Sequence, residues 1–331
     1  MNRSKQAGMG IKAVALLVGL VIGSIQFAEA QQTKVYRIGV LTLHTHDRPH
    51  LQGLRNGLKK AGYIEGKNLV LKMMSAKNAE ELRSIAKDHA EEKMDIVVTT
   101  GNVETIVARA VWVLPIIFMP GGEPVRSGFV KSLARPGVNI TGVSLLGDSK
   151  IYGKELELFK DVVPNLQRVL VFYDSGEEVI PDISLPLVRK VAAHLAIKLF
   201  EKPVQSLAQA EQEIAVASKN TTDGVFFVCT SVFSDFKRIA EYARKKKIPS
   251  NGCSSRAVAE DQALLSYRPD LYQIGHRGAW YVNEILKGAK PAELPVEHAA
   301  RFELVINLKT ANQIGLTISP NVLAIADRVI K

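Results

Sequence analysis

The fold is decided by the stretch VYRIGVLTLHTHDRPHLQGLRNGLKKAG, residues 35–62, and by the repetition of its pattern along the chain. Residues 35–43 are aliphatic and β-branched, which predicts a buried strand. Leucines then follow at helical spacing as far as Leu58, and Gly62 stands where a helix is expected to end. A strand followed by an amphipathic helix is the repeating unit of a parallel sheet.

The same unit recurs in two series. Further strands are predicted at residues 68–74, 95–100, 114–119, 140–144, 168–173, 197–202, 223–229, 248–251, 264–267 and 302–308. Helices are predicted between them, including one over residues 125–133 after the turn at Pro120. Strands separated by helices imply right-handed crossovers and parallel sheets. We therefore predict an α/β protein with two doubly wound parallel-sheet lobes.

No Gly/Ser-rich or Pro-rich linker separates the two series. The lobes are therefore expected to be joined by several crossings that act as a hinge. We place residues 31–146 and about 266–298 in lobe 1, and residues 147–265 in lobe 2. Residues 299–331 are expected to pack across both lobes.

The N-terminus predicts export. Residues 1–12 carry three basic residues and no acid, and residues 13–25 are uncharged and apolar. The small residues up to Ala30 complete the pattern of a signal peptide at residues 1–30. A membrane anchor would need roughly 18–20 apolar residues, more than this run contains. We expect cleavage after Ala30 and a periplasmic protein.

The charge of the chain does not indicate a nucleic-acid partner. The formal net charge of +10 falls to about +8 without the signal peptide. Aromatic residues are 6% and are not interleaved with basic runs such as residues 244–247, so no stacking platform for single strands is predicted. These basic residues end a predicted helix, where cations complement the helix dipole.

Two cysteines, Cys229 and Cys253, would face an oxidising compartment after export. Whether their Cβ atoms come close enough for a bridge depends on the fold. A disulfide and two buried thiols are both open at this point.

Sequence motifs for catalysis are absent: the chain has no nucleophile elbow, phosphate-binding loop or zinc-protease helix in the expected context. We therefore expect no enzymatic activity and no cofactor. His44 and His46, with Asp47 and His50, could begin a metal site. Because no second cluster of ligands is indicated by spacing, loop or ligand-contact roles for these histidines are favoured, and no metal is predicted.

Polar and small residues follow the predicted strands in both lobes. In open parallel sheets, ligands bind beyond the carboxyl ends of the strands. The candidate ligand-binding residues are His44, Thr45, His46, Thr100, Gly101, Asn102, Gly121, Gly122, Glu123, Tyr173, Asp174, Ser175, Cys229, Thr230, Ser231, Gly252, Cys253 and Ser254. Their hydroxyls and backbone amides suit an anionic group, and their carboxylates suit a cation. The set is typical of a site for a zwitterion such as an amino acid, although turns are polar in most proteins.

Five stretches carry a resemblance to a known family. They are residues 53–68 (GLRNGLKKAGYIEGKN), 95–101 (DIVVTTG), 132–142 (SLARPGVNITG), 285–291 (ILKGAKP) and 302–311 (FELVINLKTA). The chain resembles the substrate-binding proteins of ABC importers, a family that includes tryptophan- and tyrosine-type periplasmic components. The resemblance implies a type I periplasmic-binding fold that closes on a small ligand and presents it to an ABC permease. We expect such a protein to be a monomer.

Two departures from the family pattern lie in the expected cleft. Glu123-Pro124-Val125 stands where relatives have Asp-Pro-Val, and Asp174-Ser175 stands where they have Asn-Pro. Ligand identity is therefore not carried over. We expect backbone amides at residues 100–102 to hold a carboxylate, and Asp174 or Glu123 to hold an ammonium group. The alternatives are a ligand-sensing partner of a membrane receptor and an exported hydrolase or metal-binding protein.

Overall fold

A computed structural model describes residues 34–43, 48–145, 151–176, 179–233 and 236–331. The predicted signal peptide lies outside these residues. The strands are β1 (Tyr36–Thr42), β2 (Leu69–Ser75), β3 (Ile96–Thr99), β4 (Ile116–Gly121), β5 (Ile140–Ser144), β6 (Arg168–Asp174), β7 (Lys198–Val204), β8 (Gly224–Phe227), β9 (Leu265–Pro269), β10 (Glu297–His298), β11 (Phe302–Asn307) and β12 (Arg328–Ile330). The α-helices are α1 (Pro49–Lys60), α2 (Ala79–Asp88), α3 (Asn102–Val111), α4 (Ile151–Val162), α5 (Val179–His194), α6 (Leu207–Val216), α7 (Lys237–Lys245), α8 (Ser255–Ala259), α9 (Leu271–Leu286), α10 (Leu308–Ile314) and α11 (Pro320–Ala324). None of these helices is both long and apolar enough to cross a membrane.

The first lobe is built on one parallel sheet with the strand order β10-β5-β4-β3-β1-β2. Every residue of β3, β4 and β5 is buried. Strands that are covered on both faces are continuously apolar, which explains the aliphatic runs of the sequence. Because the strands are parallel, their carboxyl ends lie along one edge of the sheet.

The second lobe contains two three-stranded sheets, β7-β6-β8 and β12-β11-β9. Single bridges at Ser250 and Asn251 connect β8 to β9, where the sequence predicts a longer strand. The fully buried side chain of Asn251 reinforces this connection: its Oδ1 accepts the Phe227 N–H at 2.7 Å and its Nδ2 donates to the Phe227 carbonyl at 3.2 Å. The two sheets therefore continue into one layer.

The chain passes between the two lobes after β5, after β9 and after β10. Helix α9 returns to the first lobe and packs closely on α1, since a Cβ atom on Gly275 would lie 1.8 Å from the carbonyl oxygen of His50. Strand β11 pairs with β9 and β12, so residues 302–330 extend the second-lobe sheet. From the sequence alone, this segment is expected to contact both lobes.

The predicted fold class is confirmed, because both lobes contain parallel sheets with helical crossovers. The predicted helix over residues 125–133 is wrong, since this segment forms turns. The Ser127 N–H donates to the Glu123 carbonyl at 2.9 Å. Glu123 and Gly128 have φ angles of +40° and +67°, which interrupt right-handed helical geometry.

Candidate ligand-binding cleft

One ion pair joins segments that follow strands in the two lobes. Arg126 follows β4 of the first lobe, and Asp182 lies in the first turn of α5, which follows β6 of the second. The Nη2 atom of Arg126 is 3.8 Å from Oδ2 of Asp182, so this ion pair bridges the two lobes. We take the segments after β1, β3 and β4 as one wall of the candidate cleft, and the segments after β6 and β8 as the other.

On the first-lobe wall, a buried carboxylate lies beneath the predicted residues Thr100 and Gly101. Glu104 is only 3% exposed, and its Oε1 accepts the Leu43 N–H at 3.0 Å and the Thr100 hydroxyl at 3.1 Å. A Cβ atom on Gly101 would lie 2.6 Å from Oε2 of Glu104, so glycine leaves room for the carboxylate. Glu104 thereby connects the ends of β1 and β3.

Asn102 holds the loop that follows β4. Its Nδ2 donates to the Gly122 carbonyl at 3.1 Å, and its Oδ1 accepts the Gly122 N–H at 2.8 Å. The Ser127 hydroxyl donates to the same carbonyl at 3.2 Å. The amide of Asn102 is therefore engaged with the protein, and its role at the cleft is to position this loop.

The other two predicted residues, at and after the end of β4, differ in the groups that they can offer to a ligand. Gly121 is buried, and a Cβ atom there would lie 2.5 Å from the ring of Phe118, so this glycine is required for packing. Glu123 is half-buried and adopts the left-handed region. Of these two residues, only Glu123 has a side chain that could contact a ligand, because Gly121 has none.

The second-lobe wall contains a largely buried carboxylate at the end of β6. Asp174 is 6% exposed; its Oδ1 accepts the Gly176 N–H at 2.8 Å and its Oδ2 accepts the Thr230 hydroxyl at 3.3 Å. The structure thus brings together two residues that the sequence predicts separately. Tyr173 is half-buried, whereas Ser175 is exposed and its N–H pairs with β7.

Cys229 and Cys253 form a disulfide with their Cα atoms 5.4 Å apart, which settles the alternative that the sequence leaves open. The bond joins the end of β8 to the turn before α8. Gly252 in this turn is buried against Ala263, and the Ser254 hydroxyl caps α8 by accepting an N–H at 3.1 Å. The disulfide therefore links two segments of the same cleft wall.

A buried ion pair beside the disulfide is missed by the sequence reasoning. Glu155 is fully buried and accepts from Arg268 Nη2 at 2.7 Å, from the Tyr267 N–H at 3.1 Å and from Asn251 Nδ2 at 3.1 Å. Arg268 also approaches the Cys229 sulfur at 3.2 Å. Burial raises the pKa of the Glu155 carboxyl, and the charge of Arg268 opposes that effect. The signal that could have indicated this pair from the sequence is the charge of Glu155 on the apolar face of α4.

The remaining predicted positions are less informative. His44, Thr45 and His46 lie outside the described residues, and Ser231 begins a short 3₁₀ helix, Ser231–Phe233. Within the part of the chain that the structure describes, no cluster of three or more His, Cys, Asp or Glu residues could hold a metal ion.

Comparison with known sequences gives matches that span both lobes. Residues 37–330 match the family model described as ABC transporter substrate binding protein. The chain is also similar to a tyrosine-binding protein of Clostridioides difficile (strain R20291). The two are 27% identical over 320 residues, which cover 93% of this chain and 90% of the relative.

Two solved structures are similar over a comparable length. A conserved domain protein from Vibrio cholerae has a TM-score of 0.79 and 31% identity, covering 89% of this chain and 100% of that one. An ABC domain in complex with L-Trp from Streptococcus pneumoniae has a TM-score of 0.78 and 25% identity, covering 90% and 100%. In each case the similarity spans most of this chain.

Proposed function

Since the chain belongs to the ABC transporter substrate-binding protein family, we propose that it is the extracytoplasmic solute-binding component of an ABC importer. Its ligand is an amino acid or a related carboxylate, which it binds between the lobes and delivers to a membrane permease. The names of two relatives support this ligand class, since one is a tyrosine-binding protein and the other is in complex with L-Trp. The protein binds its ligand without changing it.

The observation that carries this proposal is the carboxylate of Asp174 on the second-lobe wall. It accepts two hydrogen bonds from the protein, and an ionised carboxylate has about four acceptor positions. It therefore retains capacity for an ammonium group. On the facing wall, backbone amides at residues 100–102 open helix α3, where an anionic group is favoured. Glu123 is a second candidate for the ammonium group.

A ligand that contacts both walls favours the closed arrangement of the lobes. The Arg126–Asp182 ion pair is one contact between the lobes in the described structure. Because a ligand shifts an equilibrium only through its different affinity for the two states, contacts to both lobes are what couple binding to closure. The closed protein then presents a composite surface to the permease.

We also propose that the protein acts in the periplasm as a monomer. The disulfide supports an oxidising compartment, because such bonds are rare in reducing ones. Deleting the gene should then abolish uptake of the bound amino acid. A loss of the response to that amino acid with uptake unchanged would instead support a receptor partner.

A ligand screen tests the proposal. We expect the melting temperature of the protein, purified after expression of the full chain, to rise with at least one amino acid, L-tryptophan and L-tyrosine being tried first. Asp174→Asn should weaken binding by about tenfold or more, since a charged hydrogen bond contributes about 1.5–3 kcal/mol. The matched control is Asp161→Asn, an exposed residue of α4. The proposal fails if no amino acid stabilises the protein.

A further inference from the structure

The two sulfur atoms of the Cys229–Cys253 disulfide have different surroundings. Both residues are only partly buried, so an external reagent can approach this part of the second lobe. The sulfur of Cys229 lies 3.2 Å from Nη2 of Arg268. Within the part of the chain that the structure describes, the sulfur of Cys253 contacts no hydrogen-bond donor. The two sulfurs therefore differ in how well they can bear a negative charge.

Arg268 is held beside the Cys229 sulfur by two neighbouring side chains. Its Nη2 donates to Oε2 of Glu155 at 2.7 Å, and its guanidinium lies over the ring of Tyr152, 4.7 Å from the centroid. The Tyr152 hydroxyl donates in turn to the Cys229 carbonyl at 3.2 Å. Because Nη2 carries two N–H bonds, it can donate to Glu155 and to the sulfur at the same time.

The other charged groups around the disulfide are engaged elsewhere. Glu155 accepts two further hydrogen bonds, both at 3.1 Å. Asp174, on the same wall, accepts two hydrogen bonds from its own lobe. Arg256, three residues after Cys253, forms ion pairs with acidic residues in and beside α8. The guanidinium at the Cys229 sulfur is therefore the charge that distinguishes the two sulfurs.

We propose that Cys253 is a modification site for small thiols, with Cys229 as the leaving thiolate. A thiolate, RS⁻, attacks the sulfur of Cys253, the bond between the two cysteines breaks, and its electron pair goes to the sulfur of Cys229. The products are a mixed disulfide at Cys253 and a thiolate at Cys229 that accepts an N–H of Arg268. The attacking thiol is the reductant, and the reverse reaction restores the original bond. This inference goes beyond the proposed function, since the exchange takes place without a bound solute.

The choice of sulfur follows from the stability of the leaving group. Thiol–disulfide exchange is faster when the thiolate that leaves is more stable. A hydrogen bond to an ionised acceptor is about twice as strong as one between neutral groups, so the Cys229 sulfur gains from Arg268 as its negative charge develops. Attack on Cys229 would instead expel the Cys253 thiolate, which has no such donor.

The adduct would lie on the second-lobe wall of the candidate cleft. The disulfide joins the end of β8 to the turn before α8, and the exchange separates these two segments. The residue after Cys229 is Thr230, whose hydroxyl donates to Asp174 at 3.3 Å. The modification therefore acts on the segment that contacts the carboxylate of Asp174.

The test identifies the sulfur that is attacked. Oxidised full-chain protein is exposed briefly to 2-mercaptoethanol, the exchange is stopped with N-ethylmaleimide, and tryptic peptides are analysed by mass spectrometry. Cys229 and Cys253 fall in different peptides, residues 220–237 and 248–256. Mercaptoethanol is uncharged, so the charge of Arg256 does not steer it. Glutathione serves as the charged comparison.

Two double variants isolate the contribution of the guanidinium. Arg268→Met with Glu155→Gln removes the donor without leaving a buried charge unpaired. The matched control, Arg168→Met with Asp223→Asn, removes another ion pair of the same lobe, in which Nη2 and Oδ1 are 2.7 Å apart. That pair lies at the opposite end of β6 and β8. Both variants keep the net charge of the wild type, and circular dichroism verifies their folding.

In the wild type, we expect the mercaptoethanol adduct on Cys253 to exceed that on Cys229 by between about three- and tenfold. Roughly half of the stabilisation that a charge-assisted hydrogen bond gives the leaving thiolate is expressed in the rate. The Glu155/Arg268 variant should lose this preference and the control should keep it.

The wild-type result alone decides the proposal if the Glu155/Arg268 variant does not fold. Equal adducts on the two cysteines, more adduct on Cys229, or no adduct in excess thiol would each overturn it. A preference that persists in the folded Glu155/Arg268 variant would do so as well. A preference seen with glutathione alone would also refute it, because the charge of the thiol and not Arg268 would then select the sulfur.

Discussion

Removing the Cys229–Cys253 disulfide should destabilise the second lobe selectively. The bond joins residues 24 positions apart. The chain-entropy relation for a loop of that length gives about 3.4 kcal/mol at 25 °C, because the cross-link restricts the unfolded chain. The double substitution Cys229→Ala/Cys253→Ala should lower the free energy of unfolding of this lobe by that amount.

Two optical signals separate the lobes. Trp112 and Trp280 are the two tryptophans of the chain, and both pack in the first lobe, so their fluorescence reports that lobe alone. Far-ultraviolet circular dichroism reports both lobes. With a urea m-value of about 1–3 kcal/mol/M, the second-lobe transition should shift by between about 1 and 3 M urea, while the fluorescence transition moves much less.

A reductant provides the matched control. Dithiothreitol should reproduce the shift in the wild type and have no effect on the double variant, which contains no cysteine. A dichroism transition that dithiothreitol leaves unchanged in the wild type would refute the reasoning. So would an equal shift of the tryptophan signal, since the cross-link would then stabilise both lobes together.

Three further predictions concern single side chains. Glu155→Gln leaves the Arg268 charge buried without its counter-ion, so the free energy of unfolding measured by dichroism in urea should fall by about 3–5 kcal/mol. Arg189→Gln should cost less than about 1 kcal/mol at pH 7, because the pair is partly exposed. The hydrogen bond from Arg189 holds the pKa of Glu201 below its usual value, so the stability that this pair contributes is present above the unfolded pKa and is lost as the pH falls. The urea unfolding curves of the wild type and the Arg189→Gln variant should therefore differ at pH 7 and coincide at pH 3. Asn102→Ala removes two hydrogen bonds to the loop after β4, and tryptophan fluorescence in urea should show a loss of about 1–3 kcal/mol in the first lobe.

Local sequence patterns were sufficient to predict most of the strands and helices. The strand predicted at residues 35–43 is observed as β1, and the leucines of α1 are buried as their spacing predicts. The failure at residues 125–133 has a backbone cause, because the left-handed conformation of Glu123 has no signature in residue type. A glutamate followed by proline is compatible with a helix start in sequence and with a turn in the fold.

For the candidate site, too, some residues could be predicted from the sequence, whereas the contacts between them are shown only by the structure. Asp174 and Thr230 could be selected from the sequence because each follows a strand, although only the structure shows the hydrogen bond between them. Glu155 and Arg268 are 113 residues apart in the chain, and no local pattern pairs them. Their proximity depends on how β9 is placed relative to α4.

By itself, the sequence determined the strand-helix alternation, the fold class and the family, because these depend on periodicity and on motifs that are local in the chain. Only the tertiary structure decided that the cysteines are bonded and that Glu155 pairs with Arg268. The physical reason is that both relations join segments that are remote in sequence. Disulfide formation and charge interaction depend on distance in space, which the packing of the two lobes sets.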